Sequence, residues 1–363
     1  SWGRARECAS DREPEFWLCQ NSVRHFQRKC RVNFWLELVI KTVLVLFLVV
    51  LPVALVVIFG ELKISAHIQS RIGPYFAGGR FGWAQPLADG AKFIQKEDLI
   101  PAGADNAVFR FAPYVVLMGT FATFVVIPFG PDLAAEQLDV GIFFLLAVSS
   151  LSTLGVLMAG WSSANKYSLI GGLRAAAQLI AYELPLVLAA VAVVVQAGTL
   201  SLSGIVEAQA SMEIFGLNIH LPYVLTGQIL SFIIFTIAAL AELSRIPFDM
   251  PIAESELTMG YLTEYSGLRF TMFFLGEYAA MISLAAVAST LFLGGYYLPG
   301  LDTDALKVAG PFILLGKTLI LCFVFIWMRW SWPRLREDQL QSLAWKWLIP
   351  LALANIAVIS IFK

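Results

Sequence analysis

The stretch VGIFFLLAVSSLSTLGVLMAGW, Val140 to Trp161, runs for 22 residues without a single charge. An α-helix rises roughly 1.5 Å per residue, so a run of about 20 apolar residues matches the ~30 Å hydrocarbon core of a bilayer. Lipid offers no partners to backbone N–H and C=O groups, and such a run satisfies them internally only as a helix. Seven further runs read the same way: Leu38 to Phe59, Phe111 to Phe129, Ala175 to Val195, Leu221 to Leu240, Phe270 to Leu293, Phe312 to Trp330 and Leu343 to Phe362. A β-barrel is excluded, because its strands are short and alternate in polarity. The chain is therefore expected to be an all-α polytopic membrane protein with about eight transmembrane helices.

Composition agrees. Of 363 residues, 58% are hydrophobic and 14% charged, whereas a soluble domain is about a quarter charged. The 27 Phe and 10 Trp suit lipid-facing helices with interfacial anchors. The net charge of −1 decides nothing, and no basic patch points to nucleic acid. Cys8, Cys19, Cys30 and Cys322 form no CxxC pair, and His25, His67 and His220 are scattered. No flavin, iron–sulfur cluster or metal is expected on this chain alone.

Lys and Arg favour short cytoplasmic loops. The loop after the first run carries Lys63, Arg71, Arg80, Lys92 and Lys96. Loops or edges after the third, fifth and seventh runs add Lys166, Arg174, Arg245, Arg269, Arg329, Arg334, Arg336 and Lys346, and the even-numbered loops hold only Lys307. Odd-numbered loops are thus expected in the cytoplasm and both termini outside. Residues 1–33 go against this pattern, with seven Lys and Arg residues and three of the four cysteines. They read as an atypical N-terminal extension, disordered or extraneous to a transmembrane domain spanning 34–363. In the first odd loop, Trp83, Leu87, Ala91 and Ile94 recur at helical spacing opposite Asp89, Lys92 and Lys96. That pattern predicts an amphipathic interfacial helix.

Ionisable groups inside or beside the runs need a reason, since a charge at mid-bilayer costs at least about 2.5 to 3.5 kcal/mol. Glu183, Glu242, Glu277 and Lys317 are such groups. A carboxyl taken out of water holds its proton more tightly, which suits exchange near neutral pH; a helix–helix hydrogen bond or buried ion pair is the structural alternative. The densest site is AELSRIPFDMPIAESELTMGYLTEY, which sets Glu242, Asp249, Glu254, Glu256 and Glu264 around Arg245. Pro247 and Pro251 break a continuous helix there and favour a folded loop. Gln69 and Arg71 stand just above the first run, placed to donate to a polar headgroup. No phosphate loop, hydrolase elbow or dinucleotide fingerprint occurs.

At QSRIGP (69–74), QPLADGAKFIQKED (85–98), NKYSLIGGLRAAAQLIAYE (165–183), AELSRIPFDMPIAESEL (241–257), GYLTEYSG (260–267) and RLREDQL (334–340) the chain resembles the membrane subunit of respiratory complex I that is designated H in bacteria and 1 in mitochondria. The resemblance implies a non-autonomous subunit of a proton-translocating NADH:quinone oxidoreductase in a bacterial inner membrane. It would join the peripheral-arm quinone-site subunits to the small and antiporter-like membrane subunits, with quinone as substrate. It further implies that Gln69, Arg71, Arg245 and Phe248 shape the quinone cavity. Glu183, Glu242, Asp249, Glu254, Glu256 and Glu277 would form an acidic relay.

Three departures stand out. Leu62 replaces an Arg of a usual Glu-Arg-Lys, Ile252 replaces a Glu of a usual Pro-Glu-Ala-Glu, and Ser149 to Ser152 offers hydroxyls where many members carry a Glu. Two other readings share some features. One is the homologous subunit of a membrane-bound hydrogenase or of a ferredoxin- or F420-driven dehydrogenase, against which the long QPLADG and PFD motifs weigh. The other is a secondary ion-coupled transporter, which would show internal repeats.

Overall fold

A computed structural model describes residues 50–131, 133–210, 222–298 and 303–362. Among them there is no strand, and the chain is a bundle of helices. They are α1 (Leu51–Ile68), α2 (Gln85–Gln95), α3 (Asn106–Thr123), α4 (Gly141–Ser162), α5 (Lys166–Ala197), α6 (Leu202–Ala210), α7 (Ile229–Glu242), α8 (Gly267–Phe292), α9 (Thr303–Ser331), α10 (Glu337–Ser342) and α11 (Ile349–Phe362). Short helical turns lie at Glu254–Leu257 and Gly260–Leu262, and a π-helical stretch, Leu343–Leu348, joins α10 to α11.

Six helical stretches are long and apolar enough to cross a membrane: α1, α4, α5, α8, Leu306–Ser331 within α9, and Glu337–Ile361 across α10 and α11. The chain is an integral membrane protein. The expected count of eight is not reached by this measure, and the two remaining runs show why. The run from Leu221 is interrupted by a 3-10 turn at Tyr223–Thr226 and by Gly227 at φ 99°, so α7 begins only at Ile229 and has 14 residues. The run from Phe111 becomes α3, whose first turns carry Asn106 and Arg110 and so dilute its apolar character. Residues 1–33, read as an extension, lie outside the described residues.

Small residues set the helix spacing, as is usual where apolar helices pack without a hydrophobic drive between them. A Cβ at Gly155 of α4 would come within 3.0 Å of the Val116 nitrogen of α3. One at Gly160 would lie 2.9 Å from the Gly172 Cα of α5. Helix α8 is the central post, with 61% of its span buried against 22% for the C-terminal span. Between α3 and α8, the hydroxyls of Thr123 and Ser283 meet at 2.8 Å.

Both ends of α8 are fastened. At its start, Ser266 Oγ donates to the Glu97 carbonyl and accepts from the Leu99 N–H, each at 3.1 Å, and Arg269 pairs with Asp98 at 3.0 Å. At its end, Gln209 Nε2 donates to the Thr290 and Leu291 carbonyls at 3.0 Å. Lys317 Nζ donates to the carbonyls of Leu293, Gly295 and Tyr297 at 2.7 to 2.8 Å. Lys317 therefore satisfies the carbonyl of the residue that caps α8 and two in the turn that follows it.

The amphipathic helix expected after the first run is α2, with Trp83, Leu87 and Ile94 exposed beside it or along it. Phe93 turns inward, its ring 5.6 Å from that of Phe270 at the start of α8. The odd-numbered loops meet on one face of the bundle. Asn165 Nδ2 donates to Glu264 at 2.6 Å, and Arg174 pairs with both Glu256 and Glu337.

Candidate functional site

The acidic loop after α7 is folded rather than extended. The Ile246–Pro247 peptide is cis, and Gln178 of α5 clamps the loop by donating to the Ala241 and Phe248 carbonyls, each at 2.7 Å. From the segment after α9, Arg334 donates to the Asp249 carbonyl at 2.8 Å and to Ser255 Oγ at 3.1 Å. The Leu335 N–H bonds the Pro247 carbonyl at 3.1 Å. Phe248 is buried against Tyr182, with ring centroids 5.3 Å apart.

This clamping drives Arg245 into the bundle, where it is 2% exposed. Its Nη1 donates to Glu61 at 2.9 Å and its Nε to Glu277 at 3.0 Å. The guanidinium stacks over Tyr278 with 4.6 Å to the ring centroid. Arg329 of α9 holds the other oxygen of Glu61. Two arginines and two carboxylates thus form a cluster whose formal charge sums to zero, and a buried charge without such a partner would be strongly unfavourable.

Glu277 belongs to two places at once. Besides its bond to Arg245, it lines a cavity of about 60 Å³ together with Glu242, Tyr261, Ser152, Thr120 and Ile252. That is room for several waters among groups able to bind them. Glu183 of α5 lies close enough for its charge to act on Glu242. Burial pushes the Asp249 carboxyl up to about 6 against the opposing pull of Arg334 and Arg329, and the Glu277 and Glu254 charges add to the rise.

The expected site residues therefore separate. Glu242 and Glu277 share the cavity, Glu183 adjoins it electrostatically, and Asp249 sits in the clamped loop. Glu254 and Glu256 are exposed; the hydrogen bond from Arg174, 2.7 Å long, holds Glu256 below the usual carboxylate range. Gln69 and Arg71 are exposed at the end of α1. None of Gln69, Arg71, Arg245 and Phe248 lines the cavity.

Glu61 and Arg329 join the site although sequence reasoning does not single them out. The first apolar run ends at Phe59, yet α1 continues to Ile68 and carries Glu61 into the core at 5% exposure. Ala54 and Val57, seven and four residues before Glu61, share its stripe on the helix and are the available signal. Arg329 enters the sequence argument only as one of the charges beside an odd-numbered loop. Among the described residues no group of His, Cys, Asp and Glu is placed to hold a metal ion.

A family model described as NADH dehydrogenase matches residues 40–360. The chain is also similar to the H-type subunit of the NADH-quinone oxidoreductase of Anaeromyxobacter dehalogenans (strain 2CP-C). The two are 44% identical over 312 residues, covering 81% of this chain and 74% of that protein.

Proposed function

Because the chain belongs to the NADH dehydrogenase family, we propose that it serves as the membrane subunit that links quinone reduction to proton movement in an NADH-quinone oxidoreductase. It acts as one subunit of that oxidoreductase complex, beside the other complex I subunits. Residues 34–363 form the working domain. Its odd-numbered loops face the cytoplasm of a bacterial inner membrane and dock the quinone-site subunits of the peripheral arm. Gln69 and Arg71, exposed on that face, and the loop held by Arg245 and Phe248 shape the floor of the quinone cavity, whose remaining walls come from partner subunits.

The observation that carries the reading is the double engagement of Glu277, ion-paired to Arg245 and open to the cavity it shares with Glu242. Reduction of a quinone above the loop takes up protons and alters the local charge. A cluster of zero formal charge responds sharply to such a change, because any proton gained by one carboxylate leaves an arginine unbalanced. A proton reaching Glu277 would leave Arg245 held by Glu61 alone, and the cavity would pass a proton on to Glu242 and then toward Glu183. Glu254 and Glu256 sit at the exposed outer end of this path.

The test is Glu277→Gln and Glu242→Gln in the whole complex reconstituted in vesicles. Quinone reductase activity and proton pumping are expected to fall together in each variant. Wild-type rates of both in both variants would remove the relay from this chain.

A further inference from the structure

The far end of α8 gathers polar groups that the relay does not use. Past Phe292 the chain turns through Gly294 and Gly295, at φ 78° and 53°. Left-handed backbone of this kind favours glycine, and here it brings the carbonyls of Leu293, Gly295 and Tyr297 toward one point. Lys317 Nζ stands at that point, 2.7 to 2.8 Å from all three oxygens. A lysine ammonium has three N–H donors, and each of them goes to a backbone carbonyl.

A fourth oxygen faces the same space. A Cβ at Gly294 would lie 3.7 Å from Gln209 Oε1 and 3.9 Å from both Lys317 Nζ and the Tyr297 oxygen. Gln209 is 2% exposed, and its Nε2 is spent on the Thr290 and Leu291 carbonyls. Its Oε1 has no hydrogen-bond partner among the described residues. Acceptors thus outnumber donors around the ammonium, and the negative end of the α8 dipole adds to the excess. Carbonyl oxygens converging away from water are what a monovalent cation takes in exchange for its hydration shell. The set contains none of the carboxylates that calcium and magnesium sites use.

We propose that the 293–297 turn and Gln209 form a monovalent-cation site, and that Lys317 is a tethered cation that fills it from α9. The lysine then acts as a built-in ligand: it joins α9 to the end of α8 and carries a charge whose every N–H is engaged. A free potassium or ammonium ion has the charge to take the same oxygens once the tether is cut. The proposal is independent of the relay, since none of these residues lines the cavity of Glu242 and Glu277.

The test takes the whole complex purified in choline chloride and compares its melting temperature in potassium, ammonium and choline chlorides at one ionic strength. Lys317→Ala removes the tether and leaves the oxygens facing one another, so in choline it is expected to melt below wild type. Potassium or ammonium should restore most of the loss and saturate with concentration. Choline, which offers the oxygens neither an N–H nor a bare charge, should restore none. Wild type should melt alike in all three salts, because its site is already filled. Lys317→Met keeps most of the stem without the charge, and should melt low in every salt because the stem occupies the way in.

A loss in Lys317→Ala that neither cation repairs would overturn the proposal, as would a response of equal size in Lys317→Met or in wild type. Wild-type melting of either variant in choline would also overturn it, by showing that the carbonyls need no cation. So would failure of Lys317→Ala to assemble in cells grown with ammonium and potassium, since the side chain would then be holding structure that no ion replaces.

Discussion

Arg245 has a carboxylate on each side and an aromatic ring beneath it, and this arrangement asks for a planar, bidentate cation. Arg245→Ala leaves Glu61 and Glu277 facing each other's charge across a void, and removing one partner of a buried pair typically costs about 3 to 5 kcal/mol. We expect the variant complex to lose quinone reductase activity and thermal stability together. Arg245→Lys should recover little, because an ammonium on a flexible stem cannot span both carboxylates; wild-type melting and turnover in the Lys variant would contradict the bridging role. Asp249 gives a pH-dependent counterpart. Its carboxyl, ordinarily near 3.8, is raised to about 6 in the fold. The protonated form is thus favoured by folding, and its stabilising contribution is complete below about 3.8 and lost as pH rises through 6. Asp249→Asn should therefore melt at a higher temperature than wild type at about pH 7 to 8, and the difference should vanish toward about pH 4. A pH-independent difference between the two melting temperatures would refute this assignment. The sequence shows Glu242 and Glu277 as charges inside or beside apolar runs, and Arg245 and Asp249 as members of the acidic loop after the fifth run. It does not show Glu61, because a run of apolar letters ends where composition changes, whereas a helix ends where its backbone hydrogen bonds stop.

At the level of elements, the close approaches are made by glycines, and they differ in what they tolerate. Gly171→Ala forces the Gly260–Leu262 turn away from α5, and such overpacking costs about 1 to 3 kcal/mol. We expect less assembled complex on native gels. Gly60→Ala, with nothing within 4 Å of the added Cβ, should assemble as wild type does. Equal assembly of the two would argue against the turn being held by contact. The amphipathic helix is legible from its period, since Trp83, Leu87, Ala91 and Ile94 fall on one stripe and α2 forms there. The membrane spans are legible where the apolar run is long, as at Val140 to Trp161, and not where a turn residue breaks it. Gly227 looks like one more small residue in an apolar segment. Only its left-handed backbone, beside the preceding 3-10 turn, stops the helix there and shortens α7.

For the whole molecule, the odd-numbered loops gather on one face, which is the face that the distribution of Lys and Arg leads us to expect in the cytoplasm. The contacts that bring them together, Arg174 with Glu256 and Glu337 and Arg334 with the Asp249 carbonyl, join segments distant in the chain. No local pattern announces such pairs, and they are fixed only once the bundle closes. A face stitched this way is the one the proposed function assigns to docking other subunits. Intact-complex mass spectrometry of protein purified from native membranes should therefore find this chain with quinone-site and antiporter-like subunits. Recovery of an active, solitary chain would point to a transporter instead.

Helix α8 is pinned at one end to the segment that trails the interfacial helix, through Ser266 and Arg269, and gripped at the other by Gln209 and Lys317. A post fixed at both ends behaves as a column under load. The segment that follows α2 is tied to its foot, so a displacement of α2 is carried straight to the column. Glu277 sits partway along it, so a shift at either end of α8 moves this carboxylate relative to Arg245 and to the cavity it shares with Glu242.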